Sequence, residues 1–227
     1  EGRVAANSIC GVNDKFPGVL GSTVCKIFDY TIARTGLSYI DAKELGYDVV
    51  TCLAPAPDRA HFMPDAKPLL LKLIADGKSR KLLGAQAVGL GVADKRMDIA
   101  ATAIACGMTV DDLAQLDLTY APPYAPAMDN IITAANIIRN KLDGYMEGIS
   151  PAEVKKMLDD GVDFTLLDVR IPVELDWMRL EQAVNIPLGK LRSSIKEVDR
   201  NKPVVCFCKI SLRGYEAALI LKHEGFK

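Results

Sequence analysis

Residues 204–214 read VVCFCKISLRG, and this stretch decides the architecture of the C-terminal part of the chain. The apolar run VVCF is typical of a short strand buried in a parallel sheet, and Gly214 is expected to begin a helix. A cysteine between a buried strand and a helix N-terminus lies where unpaired backbone N–H groups and the helix dipole favour a thiolate. The pattern predicts a nucleophilic Cys208, assisted by the cations of Lys209 and Arg213. The alternative is a structural cysteine at the end of the strand.

The sequence around this stretch alternates between apolar runs and helical patterns. Residues 164–169 form another short apolar run, and residues 188–198 and 214–224 have helical patterns. Further upstream, residues 150–153 (SPAE) begin a helix with a capping-box serine and a proline at the first helical position. This order predicts a small α/β domain with a parallel sheet over residues 149–227.

The preceding part of the chain shows strand patterns followed by helical patterns. The expected elements are a helix end at residues 3–11, a strand at 24–35, a short helix at 38–45, a strand at 47–53 followed by a proline-punctuated loop, a β-hairpin at 69–88, and helices at 93–106, after Thr109 and at 128–142. Strands followed by helices predict an α+β domain with an antiparallel sheet. Because two glycines interrupt the polar stretch 143–148, we expect this domain to cover residues 1–148.

Composition excludes several classes of protein. The chain has 227 residues and a net charge of -1, which suits one or two domains and offers no basic stripe for nucleic acid or an anionic membrane. No apolar run approaches the roughly 20 residues of a membrane-spanning helix. Six dispersed cysteines indicate a reducing cytoplasm, and all except Cys208 are expected in apolar strands or helices. With two histidines, no metal site of the usual zinc spacing is expected.

Three motifs of the C-terminal part occur in the order and spacing of the rhodanese family. They are LLDVR at 166–170, AVNIPL at 183–188, and the cysteine loop followed by RGY at 213–215. This resemblance implies that Cys208 carries sulfur as a persulfide, and that Asp168 and Arg170 support the site. The implied amide-lined loop consists of Lys209, Ile210, Ser211, Leu212 and Arg213.

Loop length and two departures qualify this resemblance. Relatives that act on phosphate use a loop one residue longer, whereas four residues separate Cys208 from Arg213 here, which implies sulfur chemistry. Ser211 stands where glycine is common, and a non-glycine residue resists positive φ. Residues 179–182 (RLEQ) replace the usual Gly-His-Ile-x-Gly. The family's last strand is expected to be missing from residues 149–227.

Four motifs of the first part resemble the C-terminal portion of flavin- and pyridine-nucleotide-dependent disulfide reductases. They are TIARTGL at 31–37, GAQAVG at 84–89, DKRMD at 94–98 and YAPP at 120–123. The similar subgroup contains coenzyme A disulfide reductases, NADH oxidases and polysulfide reductases. The resemblance implies a homodimerisation domain, with residues 1–14 as the tail of a missing FAD domain. The side chains implied on the partner's flavin and substrate side are Phe62, Tyr120, Pro122, Pro123 and Tyr124.

The two resemblances together imply a larger enzyme. No G-x-G-x-x-G follows a strand and the family's redox cysteine is missing, so FAD and NAD(P)H are expected in the parent enzyme and none in this fragment alone. The leading hypothesis is the C-terminal fragment of a reductase of disulfide, persulfide or polysulfide substrates, with coenzyme A as one candidate thiol. Phe62 and Met128 replace a tyrosine and a lysine of coenzyme A disulfide reductases, which weakens the case for that disulfide. The alternatives are a stand-alone thiosulfate or persulfide sulfurtransferase, and a non-catalytic dimerisation or docking module.

Overall fold

The computed structural model describes residues 1–226, which form two compact units divided between Arg139 and Asn140. In chain order, the elements up to that division are α1 Gly2–Ile9, β1 Thr23–Ile27, β2 Tyr30–Gly36, α2 Tyr39–Glu44, β3 Val49–Pro57, β4 Pro68–Asp76, β5 Leu82–Gly89, α3 Asp94–Ala105, α4 Val110–Ala114 and α5 Asn130–Leu142, the last of which continues past it. The strands form an antiparallel sheet in the order β1-β2-β5-β4-β3. The predicted α+β fold of this part is confirmed.

The first strand pattern forms a hairpin, so the prediction of one strand over residues 24–35 is wrong. Ile27 pairs with Tyr30, and the turn between β1 and β2 is made by Phe28 and Asp29. Two-residue hairpin turns need positive φ, which glycine or asparagine usually supplies. Here Phe28 adopts a φ of 52°. The turn therefore lacks the residue types by which such turns are recognised in a sequence.

The third strand is longer than predicted, because it includes prolines assigned to a loop. Pro55 and Pro57 belong to β3 and are in register with Leu70 and Pro68 of β4. Proline cannot donate to a sheet ladder and is confined to edges, first residues and bulges. β3 is an edge strand, so the donors that the prolines lack would have faced away from β4. The edge position therefore explains why the strand continues through both.

Helices α3 and α5 cover the face of this sheet on which Leu71, Leu73 and Ala85 are fully buried, and α3 packs against β2 and β5. A separate buried cluster joins Ala42 of α2 to Ile74 and Leu83. The thiol of Cys52 on β3 donates to the Ala134 carbonyl of α5 at 3.2 Å. The apolar stripe of α5, which includes Ile131, Ala135 and Ile138, is fully buried. That stripe therefore belongs to the core of the unit.

The second unit is a small α/β domain. Its elements are α6 Pro151–Asp159, β6 Thr165–Asp168, α7 Pro172–Leu175, β7 Val184–Asn185, α8 Leu188–Leu191, a 3-10 turn Ile195–Glu197, β8 Val204–Phe207 and α9 Leu212–His223. The strands form a parallel sheet in the order β7-β6-β8, as predicted. The predicted capping box is present, since Ser150 and Glu153 bond each other's backbone N–H at 2.7 and 3.2 Å.

Two helix boundaries differ from the prediction. The pattern at residues 188–198 is divided between α8 and the 3-10 turn. Helix α9 begins at Leu212, two residues before Gly214, because Ser211 is its N-cap. Gly214 instead lies where α9 approaches β8, and a Cβ there would be 3.2 Å from the Cys206 carbonyl oxygen. Close packing rather than helix initiation explains the glycine.

Within residues 1–226, none of the helices combines the length and the apolar character that crossing a bilayer requires.

Candidate active site

Cys208 lies in the loop that joins the C-terminal end of β8 to the N-terminus of α9. Its side chain is half-buried and packs against the core of the second unit. Ser211 adopts the positive φ for which glycine is favoured, 72°, and its hydroxyl makes no capping hydrogen bond. The first N–H groups of α9 therefore have no side-chain cap from Ser211 and can serve an anion at this end of the helix.

Arg213 in the first turn of α9 is held by a carboxylate from α7. Its Nη1 and Nη2 atoms donate to the two carboxylate oxygens of Glu174 at 2.6 and 2.8 Å. Hydrogen bonding to Glu174 raises the pKa of Arg213, with smaller contributions from the charge and hydrogen bonding of Cys208. In turn, the hydrogen bond from Arg213 lowers the pKa of Glu174 to about 2. A fixed positive charge thus lies beside Cys208.

Asp168 and Arg170, the two residues expected to support the site, form a second pair. The Arg170 Nη2 atom donates to Asp168 Oδ2 at 2.6 Å, and the Arg170 backbone N–H donates to Asp168 Oδ1 at 3.0 Å. Asn185 stabilises the turn after β6, because its side-chain amide donates to the backbone carbonyls of Asp168 and Arg170, each at 2.9 Å. Hydrogen bonding to Asp168 raises the pKa of Arg170; the charge of Glu174 also raises it, whereas the charge of Arg213 lowers it. The two ion pairs therefore form one cluster.

The other loop residues lie towards solvent. Lys209, Ile210, Ser211 and Leu212 are exposed, whereas Arg213 is half-buried. Residues 179–182, which replace a family motif, form an exposed loop. The segment before them is tied to the ion-pair cluster, because Arg170 also donates to the Met178 carbonyl at 2.9 Å.

The other predicted site residues lie in the first unit, on two loops that meet. The side chains of Phe62, Tyr120 and Tyr124 are 67%, 52% and 73% exposed. The backbone N–H of Ala60 donates to the Pro122 carbonyl at 3.3 Å, which joins the two loops. A cleft of about 450 Å³ lies beside them, lined by Arg59, Val92, Lys95, Thr119, Pro123 and Tyr124.

A buried arginine fixes the bases of these loops. Arg96 has no solvent exposure and makes a two-pronged ion pair with Asp129 at 3.0 and 2.9 Å. It also donates to the carbonyls of Asp58 and Val92 at 2.8 and 3.0 Å. Arg96, from the DKRMD motif, therefore holds the ends of the two loops that carry the exposed aromatic side chains.

Sequence comparison assigns each part of the chain. Residues 22–132 match the pyridine nucleotide-disulphide oxidoreductase dimerisation domain, and residues 150–227 match the rhodanese-like domain. The chain combines these two domains.

Two solved structures are similar to this chain over its whole length. An NAD-dependent persulfide reductase from A. fulgidus is 46% identical and covers all of this chain, with a TM-score of 0.90. The Bacillus anthracis protein CoADR-RHD is 38% identical over the same extent, with a TM-score of 0.93. This chain spans 40% of each of those two chains. An NAD(P)H sulfur oxidoreductase (CoA-dependent) from Pyrococcus furiosus is 40% identical over 61% of this chain, which corresponds to 31% of that protein.

The remaining cysteines correct one expectation. Only Cys52 and Cys206 lie in apolar surroundings, whereas Cys10, Cys25 and Cys106 are exposed. Burial raises the pKa of Cys206, in β8 of the rhodanese-like domain, to about 12. Cys206 is therefore a thiol at neutral pH, although it lies two residues from Cys208.

Glu174 is the site residue that sequence reasoning missed. It is an acid in the first turn of the helix that follows the LLDVR motif, and its carboxylate also accepts the Ile171 N–H at 3.2 Å. This local role is what an acid at the third helical position ordinarily has. Its bond to Arg213 crosses 39 residues of sequence, and no local pattern indicates it.

The dimerisation domain offers FAD no pyrophosphate cradle of its own. Such a cradle is a glycine-rich turn from a parallel strand into a helix, and the sheet of this domain is antiparallel. Its residues do not fit the flavin's phosphates, although exposed rings could line one side of a flavin site. Among residues 1–226, no group of three or more His, Cys, Asp or Glu side chains could hold a metal ion.

Proposed function

We propose that this chain is the C-terminal part of an FAD- and NAD(P)H-dependent reductase of disulfide, persulfide or polysulfide substrates. Its rhodanese-like domain, which we delimit at residues 149–227, carries sulfur as a persulfide on Cys208. The support is the combination of domains and the relatives that share it. FAD and NAD(P)H would be bound by the part of the parent that this chain lacks. Because all six cysteines are free, we place the parent in the reducing cytoplasm.

The observation that carries the proposal is the position of Cys208 beside Arg213 at the start of α9. The Cys208 thiolate attacks the outer sulfur of a persulfide donor, R–S–SH. A bond forms between Cys208 Sγ and that sulfur, the donor S–S bond breaks, and the proton leaves with the donor as R–SH. The negative charge moves to the outer sulfur of the new Cys208 persulfide. Arg213 and the N–H groups of α9 stabilise the anion before and after transfer.

Sulfur loading of the protein tests this step. The three exposed cysteines are first replaced by serine, giving the background variant Cys10→Ser/Cys25→Ser/Cys106→Ser. Incubation with glutathione persulfide is expected to add the mass of one sulfur atom to this variant. Further replacement of Cys208 by serine abolishes the gain, whereas replacement of Cys206 does not, because the half-buried Cys206 has a pKa raised to about 12 and stays a thiol. Full sulfur gain without Cys208 would refute the proposal.

The dimerisation domain is proposed to form a homodimer and to complete the partner's active site. Its exposed Phe62, Tyr120, Pro123 and Tyr124, with Pro122 between them, would face the partner's flavin and a small thiol or disulfide substrate. Coenzyme A is one candidate thiol, because the P. furiosus relative is CoA-dependent. Sedimentation at micromolar concentration is expected to give a dimer, and a pure monomer would contradict the assignment.

A second candidate is a sulfurtransferase that works without a flavin half. One observation favours it: Cys208 and both ion pairs lie within one compact unit. Replacing Cys208 by serine in the full-length parent separates the candidates. Persulfide-dependent NAD(P)H oxidation falls if the domains cooperate, and it is unchanged if sulfur transfer is independent. Loss of sulfur loading together with unchanged oxidation would support the second candidate.

A further inference from the structure

We propose that Glu174 is a positioning residue for the Cys208 thiolate and that it acts through Arg213. This inference rests on the proposed role of Cys208 as a sulfur carrier. The observation behind it is the ion pair from α7 to α9, in which two donor atoms meet two acceptor atoms at 2.6 and 2.8 Å. Planar, two-pronged pairs of this kind fix orientation as well as charge.

Glu174 is itself held in place. Helix α7 begins with Pro172, and the Glu174 carboxylate also accepts the Ile171 N–H at 3.2 Å. The helix directly follows the turn that Asp168, Arg170 and Asn185 fasten. The carboxylate is therefore held by contacts other than its bond to Arg213.

Arg213 would be mobile without this anchor. Its side chain is 29% exposed, and a free arginine side chain gains rotamer entropy when it leaves any single geometry. Within residues 1–226, Glu174 is the carboxylate that accepts hydrogen bonds from both ends of this guanidinium. Because both terminal nitrogens of Arg213 are bound to Glu174, the guanidinium keeps its place beside Cys208 whether that residue is a thiol, a thiolate or a persulfide.

Two effects of opposite sign follow from removing the carboxylate. Glu174→Gln removes a negative charge from the cluster, which by itself favours the Cys208 thiolate. It also releases Arg213, which disfavours the thiolate. If Glu174 acts by positioning, the second effect exceeds the first and thiolate reactivity falls.

The test measures the pH dependence of Cys208 alkylation by iodoacetamide in the background variant. The charged groups around Cys208 are Arg213, Glu174, Lys209 and the Asp168–Arg170 pair. Between pH 5 and 9 Glu174 is ionised, because its pKa lies at about 2. Glu174→Gln is expected to slow alkylation at pH 6 about tenfold, as a one-unit displacement of the profile would.

Four further variants distinguish positioning from other roles. Arg213→Met should slow alkylation at least as much. Adding Glu174→Gln to it should cause no further slowing, because the carboxylate then has no guanidinium to position and only the effect of its charge, which is to disfavour the thiolate, is removed. Asp163→Asn, which removes the acid of an exposed pair with Lys202, is the matched control and should leave the profile unchanged. Glu174→Asp retains the charge and should restore part of the rate.

The outcomes are decisive for the inference. Faster alkylation in Glu174→Gln would mean that the carboxylate acts by its charge alone, and an unchanged profile would mean that it serves only stability. Additive effects of the two substitutions would also overturn positioning through Arg213. The alkylation readout does not depend on sulfur transfer. Failure of the proposed function would instead appear as absence of sulfur loading in the background variant.

Discussion

Asp168 on β6 and Phe207 on β8 lie directly opposite each other in parallel register. The two strands therefore end at the same level, and Arg170 and Cys208, which follow them, lie at the same carboxyl end of the sheet. The Arg170 guanidinium lies 5.8 Å from the centre of the Phe207 ring, on the strand that leads to the cysteine. This register brings two motifs that are distant in sequence into one site.

Cys208 is expected to be the most reactive cysteine of the background variant towards iodoacetamide at pH 6. It lies at a helix N-terminus beside Arg213, whereas burial raises the pKa of Cys206 to about 12 and keeps that group a thiol at pH 6. Peptide mass spectrometry after partial alkylation measures the order of labelling. Faster labelling of Cys206 or Cys52 would contradict the assignment.

Ser211→Gly is expected to stabilise the rhodanese-like domain by about 0.5 kcal/mol. Serine is strained at a φ of 72°, and relief of this strain exceeds the entropy that glycine gains in the unfolded chain. The free energy of unfolding is measured in urea by the accessibility of the half-buried Cys206 to a rapid thiol reagent, which reports on this domain. Ser211→Ala is the control, since alanine is equally strained; stabilisation by alanine would show that the backbone is not the cause.

Gly214→Ala is expected to destabilise the same domain by about 1 kcal/mol. The new Cβ would lie 3.2 Å from both the Cys206 carbonyl oxygen and the Phe207 Cα, so α9 would have to move away from β8, which outweighs the better helix propensity of alanine. Gly189→Ala is the matched control, because no atom lies within 4 Å of its Cβ. The same urea assay applies, and an equal response of the two variants would exclude close packing as the reason for Gly214.

Asp129→Asn is expected to destabilise the dimerisation domain by about 3 kcal/mol, because it leaves the buried charge of Arg96 uncompensated. The control, Asp65→Asn, breaks the pair between Arg59 and an exposed carboxylate of the same domain and should change stability by less than about 0.5 kcal/mol. Accessibility of the buried Cys52 in urea reports on this domain. A cost for Asp129→Asn no larger than the control's would mean that Arg96 finds other partners.

Local signals predicted much of the fold. Helices begin after Ser38, Thr109 and Ser150 as predicted, because each start depends on residues within one turn of helix. The capping box predicted at Ser150 is present, and Ser38 and Thr109 form capping boxes as well. The hairpin of β4 and β5 and the parallel strands β6 and β8 follow from short apolar runs bounded by turn residues.

The remaining features depend on tertiary context. The turn at Phe28 is formed by a residue that disfavours it, and β3 tolerates prolines only because no strand adjoins its outer edge. Likewise, the motif containing Asp168 and Arg170 is readable from sequence, whereas the role of Glu174 depends on where α7 and α9 come together. An ion pair between distant segments produces no periodic pattern of residue types in either segment.

The prolines of β3 also bear on how copies of this protein can associate. Pro55 and Pro57 are two residues apart, so both missing donors fall on the same, outer edge of the sheet. An extended segment of another chain cannot complete a hydrogen-bonded ladder there, which protects this edge from strand-by-strand aggregation. At the opposite edge β1 is exposed throughout and contains no proline. Addition of a strand from another copy to the intact sheet would therefore begin at β1.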